Sequence, residues 1–318
     1  MSFLTALTEA RGPSVAVELA ADRVSAASLE LRGGRPMISA HASEPLPPGA
    51  LVPSLTASNV VDRGAVAAAL SLVLGRVGRP RRIGLIVPDV VAKVSLVRFE
   101  KVPARSADLE QLVRWQVKKT APFPVEDAQV AFVPSVRADD GQEFIVSLAR
   151  RDIVAEYEAV CTDAGAHAGI VDIATFNVIN AVLAGSSAPT GDWLLVNMAA
   201  DSASLAILRG PHVIFFRNRA ADTEGTLADL VHQTAMYYED RLKGRGFGRV
   251  ILAGAGAVQT GEAGELRRSL EQRLTTTVHP IDPRAAAALT DRIDAGPALL
   301  DRLAPLVGLL LRHREVAA

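Results

Sequence analysis

Val17-Glu18-Leu19-Ala20-Ala21-Asp22 and Val196-Asn197-Met198-Ala199-Ala200-Asp201 are one short pattern written twice, 179 positions apart. Each copy ends an apolar run in a small-residue turn and leads into a second apolar run. Those second runs also match: Ser25 with Ser204, Ala27 with Ala206, Leu29 with Leu208. Gly33-Gly34 and Gly210 then mark the next turn. Alternating apolar residues on both sides of a tight turn predict a strand–turn–strand unit. Two such units more than half a chain apart predict a duplicated domain.

Working outward, Val15–Ala20, Val24–Leu31 and Pro36–Ala42 read as three strands, and Glu44–Asn59, with four prolines, as a loop. Asp62 is placed to cap a helix over Gly64–Gly75. Ile83–Val87 and Val90–Phe99 read as strands, and Ser106–Lys119 as a helix with acids in its first turn and lysines in its last. A hairpin is expected around Asp139-Asp140-Gly141, then a helix from Asp152 to Ala164, a strand over Ala168–Ile173 and a helix over Thr175–Ala184. Gly185–Gly191 reads as a linker. The second half repeats the order: strands at Leu194–Met198, Ser204–Leu208 and Val213–Arg217, a helix over Leu227–Leu242, and a buried strand at Val250–Ala253 ending in Gly254-Ala255-Gly256. Helices over Glu262–Arg273 and Ala304–Leu311 close the chain. Meanders of strands followed by helices, twice over, predict an α/β fold of two similar lobes.

Composition narrows the function. The chain has 318 residues, 49% hydrophobic and 22% charged, enough for two cores. A net charge of −1 gives no field for nucleic acid, and 4% aromatic residues give few platforms for stacked bases. No apolar run reaches the roughly 18 residues that a membrane span needs, so a cytoplasmic protein with no transmembrane segment of its own is expected. Cys161, the single cysteine, excludes a disulfide framework and reads as a small core side chain. The six histidines show no metal-ligand spacing. There is no G-x-S-x-G setting for a nucleophilic serine and no phosphate-binding G-x-x-x-x-G-K-[ST] run. No catalytic residue and no metal site are assigned.

The hairpins and the segment Ile251-Leu-Ala-Gly-Ala-Gly-Ala257 resemble the actin-like (ribonuclease H-like) superfamily of duplicated, two-lobed nucleotide-binding proteins. Within it the chain resembles the type IV pilus assembly protein PilM family. The residues that carry this are Leu46-Pro-Pro-Gly49, Val60-Val-Asp62 before an alanine-rich helix, Val94-Ser-Leu-Val-Arg98, Trp115 followed by Ala121-Pro-Phe123, Val171-Asp-Ile-Ala-Thr-Phe-Asn177 and Ala304-Pro-Leu-Val-Gly-Leu-Leu-Leu-Arg312. The resemblance implies a first lobe over residues 1–185 with a small subdomain inserted at about 83–150, and a second lobe over 186–318. The stretch from Asn218 to Gly225 leads directly into the next helix, which implies a reduced outer subdomain there.

The same resemblance implies phosphate turns at both hairpins and an adenosine contact at Gly254 and Gly256. The family has an Asp to organise magnesium and a Gly for close phosphate approach in each turn; here the Asp positions hold Glu18 and Asn197, and the Gly positions Ala20 and Ala199. Asn is a poor ligand for a hard cation. Added Cβ atoms obstruct backbone approach to phosphate. Ala21 lies in the first turn; Asp22 and Asp201 add negative charge where a triphosphate would sit. The expectation is a vestigial site, with no resident cofactor and at most weak binding of ATP with magnesium.

The resemblance further implies a scaffold at the inner face of the inner membrane. Its partner would be a single-span pilus or secretion protein, PilN-like, whose short cytoplasmic N-terminal peptide binds a groove in the first lobe; a cytoplasmic motor ATPase would be a further partner. Leu96, Phe144 and Trp115 are the candidate contacts. Trp115 falls about 120° from the apolar stripe of its helix at about 100° per residue. It reads either as packed beneath the loop Ala121–Pro124 or as an anchor at a partner surface. The alternatives are an active actin-like ATPase, the cytoplasmic domain of a type II secretion platform protein and, more distantly, a sugar kinase.

Overall fold

The computed structural model describes residues 12–138, 140–185, 191–220, 225–257, 260–291 and 293–312. Residues 186–190 of the expected linker and Asp139 of the expected hairpin turn lie outside the described residues.

Two sheets carry the duplication. In the first, β1 (Val15–Leu19), β2 (Arg23–Arg32) and β3 (Arg35–Pro45) form an antiparallel meander, and β1 continues in parallel to β4 (Arg82–Val87) and then β8 (His167–Ile173). In the second, β9 (Asp192–Met198), β10 (Ser202–Arg209) and β11 (His212–Ala220) form the meander, and β9 continues in parallel to β12 (Arg249–Ala253) and β13 (Val278–Pro280). The strand orders β3-β2-β1-β4-β8 and β11-β10-β9-β12-β13 are equivalent. Register repeats as well: Glu18 faces Ser25 in one sheet and Asn197 faces Ser204 in the other. The central strands β1 and β9 are buried along nearly their whole length, as parallel neighbours with covered faces require.

A third sheet, of order β5-β7-β6, is made by β5 (Ala92–Phe99), β6 (Ala128–Ala138) and β7 (Gly141–Arg150). Strand pleat sends Phe144, Val146 and Leu148 to one face, where they pack with Val113 and Val117 of helix α2 (Ser106–Val117). Ile145 points the other way and joins a cluster with Val178, on the helix that follows β8, and Leu195 of β9, so this sheet is cemented to the second sheet.

The helices cover the sheets. Helix α1 (Arg63–Arg76) starts where the Asp62 carboxylate accepts the Ala65 N–H at 2.9 Å, and packs on β2 and β3. Helix α3 (Arg151–Asp163) buries Tyr157 and Cys161 in the first core, where burial pushes the thiol up to about 12; the inert core reading of Cys161 holds. Helix α5 (Leu227–Leu242) opens with a reciprocal cap between Thr226 and Asp229. Helix α6 (Thr260–Leu274) packs beside it.

Two helices meet at the centre. Helix α4 (Ala174–Gly185) follows β8, and helix α7 (Pro297–Leu311) crosses it. A Cβ at Gly308 would lie 1.7 Å from the Asn177 carbonyl oxygen, so the crossing needs glycine. Helix α7 begins seven residues before the expected Ala304. Pro297 supplies its first turn, where a missing N–H costs nothing, and the helix runs through Pro305 because its Leu and Val residues are buried on β1, β2 and β4. A short strand β14 (Ala288–Leu289), not expected from sequence, pairs with the outer edge of β3. No helix of the described residues is long and apolar enough to cross a membrane.

Candidate functional site

The two hairpin turns face the same cavity. It has a volume of about 210 Å³ and is walled by Glu18, Ala20 and Asp22 from the first sheet, Asn197, Ala199 and Asp201 from the second, and Ala298, Asp301 and Arg302 from α7. The turns are built alike: Ala20 N–H donates to the Arg23 carbonyl at 2.9 Å, and Ala199 N–H to the Ser202 carbonyl at 2.8 Å. The sequence repeat therefore marks two equivalent turns across one cleft. Ala21 belongs to the same turn as Ala20 and is half-buried.

Most of the carboxylates and amides in the cleft are tied to the chain itself, each in a different way. Glu18, buried, accepts from Arg23 at 3.2 Å, and Arg23 also donates to Asp22 at 3.0 Å. Burial raises the Glu18 carboxyl, and the nearby guanidinium opposes the rise. The Asp89 carboxylate, 5% exposed, accepts the Thr175 N–H at 2.9 Å, the Thr175 hydroxyl, and the Ser204 hydroxyl at 2.6 Å. Thr175 Oγ1 in turn accepts from Asn197 Nδ2 at 2.8 Å, and Ser204 Oγ from Asn218 Nδ2 at 2.8 Å. Burial raises Asp89 despite these donors. Asp201 is also raised by burial, and its Oδ2 has no partner.

Gly254 and Gly256 have structural reasons of their own. A Cβ on Gly254, at φ +79°, would lie 1.9 Å from the Met198 carbonyl oxygen; one on Gly256 would lie 2.6 Å from the Ala298 Cα. Their N–H groups are already taken by Asp301, whose carboxylate accepts Gly254 N–H at 2.9 Å and Gly256 N–H as well.

These residues do not fit a magnesium nucleotide. The carboxylate best placed for a metal-bound water is held by Arg23. Asn197 uses its amide to bind Thr175. Alanine Cβ atoms stand in both turns, and the glycine amides of the third segment already hold a carboxylate. Among the described residues no cluster of three or more His, Cys, Asp or Glu has metal-holding geometry. The cavity is smaller than the roughly 300–1,000 Å³ of ordinary ligand sites.

Sequence reasoning missed Asp89, Thr175, Ser204, Asp301 and Arg302. Ser204 was signalled by its register against Asn197. Asp301 and Arg302 were hidden because the first two turns of α7 lie ahead of Pro305. Asp89 sits in a short 3₁₀ turn, Asp89–Val91, between the two strands read at Ile83–Val87 and Val90–Phe99, where nothing in the pattern marks it as a site residue.

A second concavity runs beneath the small sheet. One part, about 320 Å³, lies between β6–β7 and β8; another, about 290 Å³, lies between β6–β7, α4 and the β10–β11 hairpin. Both are bounded by Ala131, Ser147 and Asp172, so they join there. Strands β6 and β8, which border the trough, are each the last strand of their sheet. The walls are mostly apolar; Asp172, half-buried, is ion-paired to Arg312, and its carboxyl is raised by desolvation.

The three expected contact residues lie on three different surfaces. Leu96 is opposite Ile145 in the β5–β7 register, on the face turned towards the trough. Phe144 is 4% exposed, packed between Phe99 and Phe132 on the α2 face. Trp115 is on the outer side of α2 and is 62% exposed, with Lys119 Nζ 5.6 Å from its ring centroid. It is therefore not packed beneath Ala121–Pro124; a residue a third of a turn from the stripe faces solvent here because the loop closes over Val113 and Val117 instead.

Residues 16–240 match the family described as type IV pilus assembly protein PilM. Among solved structures, the chain is similar to one described as the PilM–PilN type IV pilus biogenesis complex: TM-score 0.81, 19% identity, 95% of this chain and 99% of that one covered. It is also matched to the cytoplasmic domain of EpsL, an inner-membrane component of the type II secretion system of Vibrio cholerae, with TM-score 0.49, 11% identity and coverage of 96% and 94%. A protein of actin-like ATPase fold from Bacteroides thetaiotaomicron VPI-5482 matches with TM-score 0.48, 10% identity and coverage of 88% and 94%. The duplicated sheets joined by crossing helices are thus the fold of that PilM–PilN structure.

Proposed function

Because the chain belongs to the type IV pilus assembly protein PilM family, we propose that it works as a non-catalytic adaptor on the cytoplasmic face of the inner membrane. It captures the cytoplasmic N-terminal peptide of a single-span, PilN-like membrane protein and so joins that protein to the cytoplasmic parts of a pilus or related secretion machine, a motor ATPase among them. The observation that carries this reading is the trough beneath the small sheet. Two strand edges border it and its walls are mostly apolar, which suits an extended chain that pairs through its backbone and inserts alternate side chains. The similar solved structure is of a complex with PilN. In the interlobe cleft the chain's own groups occupy the positions that catalysis on a nucleotide would use, which favours the adaptor over the ATPase reading.

The test is calorimetric titration of this chain with the tail peptide of its PilN homologue. Ser147→Trp, which places an indole where the two parts of the trough join, abolishes binding on this reading, while Trp115→Ala leaves it unchanged. Binding that survives Ser147→Trp in a folded protein overturns the assignment of the trough.

A further inference from the structure

The cavity between the two hairpins is where a ligand would tie the halves of the molecule together. Here the chain supplies that tie. Asp89 extends from the end of β4 in the first sheet, and its carboxylate accepts from Ser204, on β10 of the second sheet, at 2.6 Å. Asn197, on β9 of the second sheet, donates to Thr175 at 2.8 Å, and Thr175 gives both its N–H and its hydroxyl to the same Asp89 carboxylate. Asn218, on β11, holds Ser204 from behind at 2.8 Å. Four donors from three elements thus converge on a carboxylate that is 5% exposed, counting Asn197 through Thr175.

One position in this network is a place where the repeated hairpins differ. Glu18, the first-sheet counterpart of Asn197, turns to Arg23 and stays within its own hairpin. Asn197 reaches out of its hairpin to α4. An aspartate at 197 would set a second buried carboxylate near Asp89 and would lack the N–H that Thr175 Oγ1 accepts. The amide is the side chain that lets the network close. A single unsatisfied member of so buried a polar network is costly, which makes the arrangement all-or-none. Around it, one apolar and one polar contact bridge the same boundary: the Phe176 and Phe216 rings are 5.4 Å apart, and the Ser135 hydroxyl donates to the Val213 carbonyl at 2.7 Å.

We propose that Asp89, Thr175, Asn197 and Ser204 form a built-in strut between the two lobes, which holds the cleft closed with no ligand and keeps the adaptor in one arrangement whatever nucleotide is present. This does not depend on which partner the trough binds. The experiment is a distance measurement between spin labels at Leu72→Cys on α1 and Met236→Cys on α5, both exposed, with Cys161 buried. The expected result is one narrow distance distribution that millimolar Mg-ATP does not move. Asn197→Ala with Ser204→Ala cuts both arms from the second lobe without touching the first, and is expected to at least double the width. Ser204→Ala alone, which leaves the β9–β10 pairing intact, serves if the double variant does not fold, and is expected to broaden the distribution by a smaller step. A broad distribution in the unmodified chain, a shift on adding Mg-ATP, or an unchanged width in the folded variants overturns the proposal.

Discussion

Asp301 and Gly254, 47 residues apart in sequence, are joined by a 2.9 Å hydrogen bond from the glycine N–H to the carboxylate. The carboxylate also takes the Gly256 N–H. The bond pins the end of β12 to the second turn of α7, and so binds the second sheet to the helix that packs on the first sheet. Asp301→Ala leaves two partly buried donors without partners, each costing about 1–3 kcal/mol. Chemical denaturation should show a loss within that range or somewhat above it, with no recovery on adding nucleotide.

His41, on β3, is held neutral. Burial is the main cause, and the charges of Arg302 and Arg23 add to it, lowering its pKa to about 4. A histidine whose folded pKa lies below its unfolded value contributes stability that is complete above about pH 6.5 and is lost as pH falls towards 4. A tenfold difference in proton affinity between the folded and unfolded chain is worth about 1.4 kcal/mol, so roughly 2 kcal/mol should disappear between pH 7 and pH 5. Stability measured against pH should be flatter over that window in His41→Gln than in the parent chain. Equal slopes would show that His41 does not titrate this way.

The crossing of α4 and α7 permits no side chain at Gly308, where a Cβ would fall 1.7 Å from the Asn177 carbonyl oxygen. Gly308→Ala gains helix propensity of about 1 kcal/mol but must push the helices apart, and overpacking typically costs about 1–3 kcal/mol or more. The expected outcome is a net fall in the thermal midpoint. A rise would mean that the helices separate freely.

Nucleotide should stabilise the chain little. Ligand at a hundred times its dissociation constant adds about 2.7 kcal/mol, which moves a midpoint by a few degrees in a domain of ordinary size. No shift is expected at ten micromolar Mg-ATP on thermal scanning. A clear shift there, or hydrolysis that Glu18→Ala removes, would restore the ATPase reading.

Trp115→Ala should change folding stability by no more than about 0.5 kcal/mol, because the side chain is 62% exposed and belongs to no core cluster, with the Lys119 ammonium over its ring. A larger loss by denaturation would mean that the indole packs more tightly than its exposure implies.

Most of the fold was legible in the sequence because its signals are local. The Asp62 cap, the α5 helix over Leu227–Leu242 and the paired hairpins all rest on turn residues and periodicity within a few positions. The short β13 and β14 were not legible, since two or three residues carry no period and their pairing depends on distant strands. The start of α7 was obscured by Pro305, which reads as a helix breaker but is tolerated when the surrounding apolar face is fully buried. The cleft was half legible. The repeat located Glu18, Ala20, Asn197, Ala199 and Asp201 around one cavity. Asp89 and Asp301 reach it from elements whose positions only the tertiary crossing sets, and no pattern within their own segments announces them. Leu96, Phe144 and Trp115 were grouped because they share a subdomain, but strand pleat and helix rotation put them on separate faces.

The central claim is that this chain captures a membrane partner's tail in the trough beneath the small sheet, without help from nucleotide. Calorimetric titration of the PilN homologue's N-terminal peptide into the chain, once with no nucleotide and once with saturating Mg-ATP, tests it most directly. The account predicts one site and the same Kd in both. Absence of binding without nucleotide, or a Kd that tightens tenfold or more when Mg-ATP is added, would contradict it.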